Sequence, residues 1–281
     1  MAVLAVAGYF ALVAIQHVTQ FVAGPGCQAG SGTSAVSLDP QQASIAATIA
    51  GVAARERLPA RAVTVAYATA MQESHMHNLG YGDMDSVGVF QQRPSEGWGT
   101  AGQLENPVYA TTRFFGALTH VRGYLQMPVD QAAQAVQHSA DGSAYAQYDL
   151  MAASMTSAFT GRWPRAVWCW AGPGQQPQEN LAATGPALAA TFGPGGTGQP
   201  VIAITAAHPA GAPMSAAVQV QPAQAWVVAS WLVTHAQTYG VRDVRYDGYQ
   251  WTASEGSRGW QPDSGNSASS ASATSASILL H

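Results

Sequence analysis

Apolar residues recur three and four positions apart through most of the stretch from Asp39 to Phe159, the spacing of one face of a helix. Asp39-Pro40-Gln41-Gln42 reads as a helix start, with an acid at the N-cap, proline at the first helical position and glutamine at the third. Ile45, Ile49 and Val52 continue that helix. Pro59 opens a second, running through Ala62, Val65, Tyr67, Ala68 and Met71 to Glu73. Asn106-Pro107 starts a third, with Phe114, Phe115 and Leu118 on its apolar face. A fourth follows Pro128 through Ala132, Ala135 and Val136, and Ser143 caps a fifth that ends near Phe159. Between the second and third, residues 77–100 lose the helical period and fill with Gly, Asp and Ser, which predicts a turn-rich insert.

The pattern changes at both ends. Residues 1–24 are nearly all apolar, long enough for a transmembrane anchor or the core of a signal peptide, and 25–36 read as a small, polar linker. The main helical domain then spans 37–170. Residues 171–222 are rich in Gly, Pro, Ala and Gln and read as a linker, although Val201 to Thr205 has the composition of a strand. Helical spacing returns from Ala223 to Tyr239, and Gly240 stops it. Val241 to Tyr246 and Tyr249 to Thr252 flank Asp247-Gly248, the signature of a β-hairpin, so 223–262 reads as a small helix-plus-hairpin module. The Ser/Ala-rich residues 263–281 read as a disordered tail.

Composition narrows the function classes. Net charge is −4, all eleven basic residues are Arg, and no basic stretch exists, which argues against nucleic acid as a partner. His75 and His77 are two residues apart, and no Cys or third His near them completes a metal set, so neither a metal nor another cofactor is expected. Cys27 and Cys169 flank the main domain; in an exported protein an even count predicts one disulfide between them.

The candidate chemistry lies around Glu73. A glycosidase acid must hold its proton near neutral pH, and an apolar environment raises a carboxyl pKa. Glu73 ends an Ala/Val/Met-rich helix that offers such an environment, a glycine-containing turn follows, and Gln91 provides an amide to hold a sugar. Glu73-Ser74, then Ser86-Val87-Gly88-Val89-Phe90-Gln91, then Pro94 resembles the lytic transglycosylases of the lysozyme-like superfamily, whose pattern is Glu-Ser, a variable stretch, Ser-x-Gly-Leu-Met-Gln and a proline three residues on. Glu73-Ser74-His75 and Tyr81-Gly82-Asp83 are similar to the goose-type lysozymes of the same superfamily. The run from Gly82 to Thr100 is similar to that of exported actinobacterial lysozyme-like proteins without an assigned activity.

The resemblance implies a mainly α, lysozyme-like α+β domain that cuts the β-1,4 link between N-acetylmuramic acid and N-acetylglucosamine in peptidoglycan. Glu73 would be general acid and base, Ser74 would orient it or the helix end, and Ser86 and Gln91 would line the sugar site. In such transglycosylases the substrate's own N-acetyl or 6-hydroxyl group completes the reaction and leaves a 1,6-anhydromuramoyl end. The pattern is departed from twice: Val136 stands where the family has a supporting Tyr, and Ala110-Thr111 stands in place of Asn-Ile. Tyr145 and Tyr109 are the candidate substitutes. Asp83 is the candidate second carboxylate for a hydrolytic, inverting reaction, weighed against a plain turn role for Asp83 and Asp85. Tyr81 and Trp98 are candidate sugar-stacking residues, and the tryptophans of the C-terminal module either bind a wall polymer or fill its core.

These expectations place the protein at the cell membrane with its catalytic domain outside, or secreted to the cell wall. Partners would be glycan strands, the membrane through the N-terminal segment, and a cell-envelope machine that needs the wall opened locally. The alternative from another class is an inactive lysozyme-like domain kept for wall binding or as a scaffold.

Overall fold

The computed structural model describes residues 24–138, 142–175, 180–193, 216–263 and 276–280. The apolar run at 1–23 and the strand expected at Val201 to Thr205 lie outside the described residues. Among the described residues, no helix is long and apolar enough to cross a membrane.

The architecture is mixed α and β, mainly helical, with two small antiparallel sheets. Strands β1 (Gly26–Ala29) and β2 (Val36–Leu38) lead into helices α1 (Pro40–Arg55) and α2 (Ala60–Ser74). Helices α3 (Pro107–His120), α4 (Val129–Gln137) and α5 (Asp149–Phe159) follow, then strand β3 (Val167–Trp170) and helix α6 (Leu181–Phe192). The C-terminal part contributes β4 (Ala216–Val220), α7 (Ala225–Thr234), β5 (Asp243–Tyr246), β6 (Tyr249–Thr252), β7 (Gln261–Pro262) and β8 (Ala276–Leu280).

Two of the expected helix starts carry full side-chain caps, whereas the fifth α-helix begins at Asp149 after a 3-10 stretch, with Tyr148 and not Ser143 at its N-cap. Asp39 accepts from the backbone N–H of Gln41 and Gln42, and Gln42 Oε1 accepts from Asp39 N, a complete capping box. Asn106 caps α3 through Val108 N and Tyr109 N. Both helices bury small residues: Ala43, Ala46, Ala47 and Ala50 on α1, Ala62, Ala66 and Ala70 on α2. The buried Tyr67 hydroxyl donates to Ala46 O at 2.7 Å, which satisfies a polar group that would otherwise destabilise this core. Thr64 and Thr156 share a buried hydroxyl pair at 3.0 Å between α2 and α5.

The segments read as linkers and tail take part in the fold. Residues 26–29, inside the expected 25–36 linker, form the central strand of the sheet β2-β1-β3. Cys27 and Cys169 are direct cross-strand partners there and form a disulfide that closes a 142-residue separation. In the chain-entropy picture a loop of that size is worth up to about 5 kcal/mol. Within 171–222, α6 packs on α1, with Leu188 and Phe192 fully buried despite Pro186 inside the helix. Burial of two such side chains, about 1.5–3 kcal/mol each, offsets the interior proline penalty of about 3 kcal/mol. Gly51 of α1 admits this contact: a Cβ there would lie 2.5 Å from Thr191 Cγ2.

The second sheet runs β4-β8-β5-β6-β7, so β8 from the Ser/Ala tail sits between two strands. Ile278 and Leu280 alternate inward and are buried, a two-residue apolar period that the surrounding Ser and Ala obscure. The hairpin β5–β6 turns on Asp247-Gly248 as expected, both residues taking positive φ. Its module packs against the rest of the chain: Trp251 Nε1 donates to Cys169 O at 3.1 Å, and Trp260 Nε1 to Val167 O at 2.8 Å. Trp231 and Trp251 are buried, and Trp226 and Trp260 are packed edge to face, so all four tryptophans serve packing.

Candidate functional site

Glu73 lies in the last turn of α2, half-buried. Ser74 follows, and then His75 and Met76 both adopt left-handed backbone conformations that end the helix and turn the chain sharply. Met84 and Gln91 are also left-handed, so four non-glycine residues carry this conformation within residues 75–91. Each has a steric cost that the surrounding contacts must offset.

Those contacts are specific. Ser74 Oγ donates to Val89 O at 2.7 Å, which seats residues 87–91 beside the end of α2. Thus Ser74 positions the loop rather than the Glu73 carboxylate. Gln137 of α4 donates to Phe90 O at 2.7 Å. Gln42 Nε2 donates to His75 O at 2.9 Å, and His77 Nε2 meets Asp39 Oδ2 at 2.8 Å, fastening the turn to the start of α1. Phe90 stacks on Phe114 with centroids 4.4 Å apart, anchoring the loop on α3.

Tyr145 supplies the partner of the carboxylate. Its hydroxyl donates to Glu73 Oε1 at 2.6 Å. Tyr145 sits in the 3-10 turn Gly142–Tyr148, where the expected fifth helix starts as a tighter coil before becoming α5. Three residues per turn put Tyr145 and Tyr148 on one inward side, and Tyr145 is 1 % exposed. Gln147 on the same turn donates to Gln72 Oε1 at 3.1 Å, a second tie to the end of α2. Val136 is simply buried in the core, and Tyr109 donates to Trp98 O at 3.4 Å, so of the two candidate substitutes Tyr145 is the one at Glu73. Among the described residues Glu73 Oε2 accepts no hydrogen bond, which leaves one oxygen of the carboxyl for a reacting group.

The remaining expected residues distribute as follows. Gln91 is half-buried, and its Nε2 donates to Gly88 O at 3.1 Å and Tyr81 O at 3.3 Å; the amide is folded onto its own loop, against Gly82. Ser86 is buried, and its N–H donates to Asp83 O. Tyr81 is 74 % exposed, and Asp83 is exposed beside it. Asp85 is a turn residue: Ser95 N donates to Oδ2 at 2.7 Å, Arg93 Nε to Oδ1 at 3.1 Å and Ser95 Oγ to Oδ1 at 2.9 Å. The Ser95 N–H foremost, joined by Arg93 and the Ser95 hydroxyl, outweighs desolvation and holds the Asp85 carboxyl below the ordinary carboxylate range. Trp98 is half-buried over α3, its carbonyl taken by Arg113 Nε at 3.0 Å.

Gln137, Gln147 and Gln72 were not among the residues expected at the site. Glutamines on helices carry no pattern of their own, and only the packing of α2, α4 and the 3-10 turn brings them to the loop. Among the described residues no group of His, Cys, Asp or Glu could hold a metal ion. The arrangement brings together one carboxyl and one tyrosine hydroxyl at the end of α2, beside the fastened loop 75–91. Comparison with known proteins adds nothing to this geometry: no protein-family model matches the chain, and no curated protein matches it.

Proposed function

We propose that the protein is an exported peptidoglycan-cleaving glycosidase, a lytic transglycosylase with Glu73 as its single acid and base. The observation that carries this reading is the 2.6 Å hydrogen bond from the Tyr145 hydroxyl to Glu73 Oε1. It holds Oε1 and leaves Oε2 to protonate a glycosidic oxygen. As the proton leaves, negative charge grows on the carboxylate, and the Tyr145 hydroxyl stabilises it more strongly than it did the neutral acid. The same oxygen then accepts a proton from the sugar's 6-hydroxyl as that oxygen closes on the anomeric carbon. The strained, multiply fastened loop 75–91 beside Glu73 supports the reading, because strain of this kind persists where a fixed geometry is needed.

The test is incubation of the full-length chain, held in mild detergent because of its apolar N-terminus, with purified peptidoglycan. A fragment beginning at Ser37 would lose β1 and Cys27 and is unsuitable. Mass spectrometry of released fragments should show anhydromuramoyl ends, and Glu73→Gln should lower their yield by roughly 10²–10⁴-fold. Reducing ends dependent on Glu73 would replace the transglycosylase with a hydrolase and direct attention to Asp83. No release from wild type, with the protein still sedimenting on the wall, would overturn the enzyme reading in favour of a wall-binding module.

A further inference from the structure

Outside the Glu73 site, a groove of about 520 Å3 runs along the outer side of α3, with Trp98, Arg113, Gly116, His120 and Glu96 on its lining. Gly116 lies inside α3, and a Cβ there would meet nothing within 4 Å. Its φ is not positive, so neither backbone nor packing calls for glycine, which weakens a helix relative to alanine. What the missing side chain provides is the open floor of the groove.

The polar groups on that floor are held in place. Arg113 Nε and Nη2 donate to Trp98 O at 3.0 Å and Gly97 O at 3.2 Å, which fixes the guanidinium plane. Among the described residues no carboxylate pairs with Arg113, and Nη1 makes no hydrogen bond. His120 Nδ1 is 2.6 Å from Gly116 O; a carbonyl only accepts, so Nδ1 carries the proton and Nε2 is the nitrogen left for a ligand. Glu96 at the rim is held by Arg93 Nη1 at 3.1 Å, a guanidinium it shares with Asp85. One fixed, uncompensated cation beside a tryptophan favours a ligand with both a sugar ring and a carboxylate.

We propose that this groove is a second saccharide site, taking a sugar whose substituent carries a carboxylate: the ring lies against Trp98, the carboxylate on Arg113, and hydroxyls reach His120 and Glu96. The identity of the occupant as a peptide-bearing unit of peptidoglycan rests on the function proposed above. Its role is to hold a strand by its stem peptide, apart from the reacting bond.

Binding is measured by calorimetry on the full-length Glu73→Gln chain, with a soluble disaccharide–tetrapeptide and with neutral chitotetraose. The disaccharide–tetrapeptide should bind at least about tenfold tighter than chitotetraose. Adding Gly116→Leu should weaken it at least about tenfold while the melting temperature stays equal or rises, and Arg113→Gln should abolish the preference between the two ligands. Equal affinity for both ligands, no binding of either, or unchanged affinity in Gly116→Leu overturns the proposal. Loss of peptidoglycan cleavage with this binding pattern intact would sink the glycosidase reading alone, and cleavage without the binding pattern would sink the groove alone.

Discussion

The carboxyl of Glu73 and the hydroxyl of Tyr145 are 72 positions apart in the chain, yet they lie 2.6 Å apart at the site. Tyr145→Phe removes that donor while keeping the buried ring. A hydrogen bond to a charged group contributes about 1.5–3 kcal/mol, so kcat for wall cleavage should fall roughly 10- to 150-fold with little change in KM. Equal loss in both parameters would instead indicate a collapsed loop. Glu73, Ser74 and Gln91 were legible as a motif, because the spacing lies along one stretch of chain. Tyr145 was only one of two candidates, since nothing local distinguishes it from Tyr109; the tight turn at Gly142–Tyr148 makes the choice. A second residue gives a pH-dependent prediction. His235 is stacked against Trp231 at 4.0 Å, and desolvation foremost, opposed by the Trp231 carbonyl, pushes its pKa down to about 4. The unfolded chain then binds a proton that the folded chain refuses, so stability is full above the ordinary value of 6.5 and is lost as pH falls from there towards about 4. Thermal melts at pH 7 and pH 5 should show a larger drop for wild type than for His235→Leu; identical drops would refute it.

Helix starts show the closest agreement between local chemistry and structure. Asp39 has two jobs that can be separated: it caps α1 and it meets His77. Asp39→Ala loses both, and a lost cap alone costs about 1 kcal/mol, which lowers the melting temperature of a chain this size by roughly 2–4 °C. Asp39→Asn keeps the cap and loses the charge, so it should recover most of that drop. If Asn is as damaging as Ala, the contact to the turn after Glu73 matters more than the cap. Helix α6 is the opposite case. Gly185-Pro186 reads as a break, and the helix exists because Leu188 and Phe192 find α1 with Gly51 leaving room. That surface is made by other elements and leaves no trace in the local pattern.

The chain closes on itself more fully than its composition indicates. Strand β8 joins β4 to β5, and among the described strands β4 pairs with β8 alone. Ending the chain after Asp263 should free β4 and expose the ground under Ile278 and Leu280, at about 1.5–3 kcal/mol for each buried side chain. Urea unfolding should show a midpoint lowered accordingly; an unchanged midpoint would mean the tail does not contribute to the sheet. Helix caps, helical faces, the Asp-Gly hairpin and the Glu73–Gln91 spacing were readable because each depends on residues within a few turns of one another, and the cysteine pair because two cysteines allow one bridge. The partner of Glu73, the strands at 26–29 and 276–280, the helix across Pro186 and the packing role of the C-terminal tryptophans were not. Each depends on a surface assembled from residues far apart in the chain, and burial against that surface outweighs the local preference for loop or disorder.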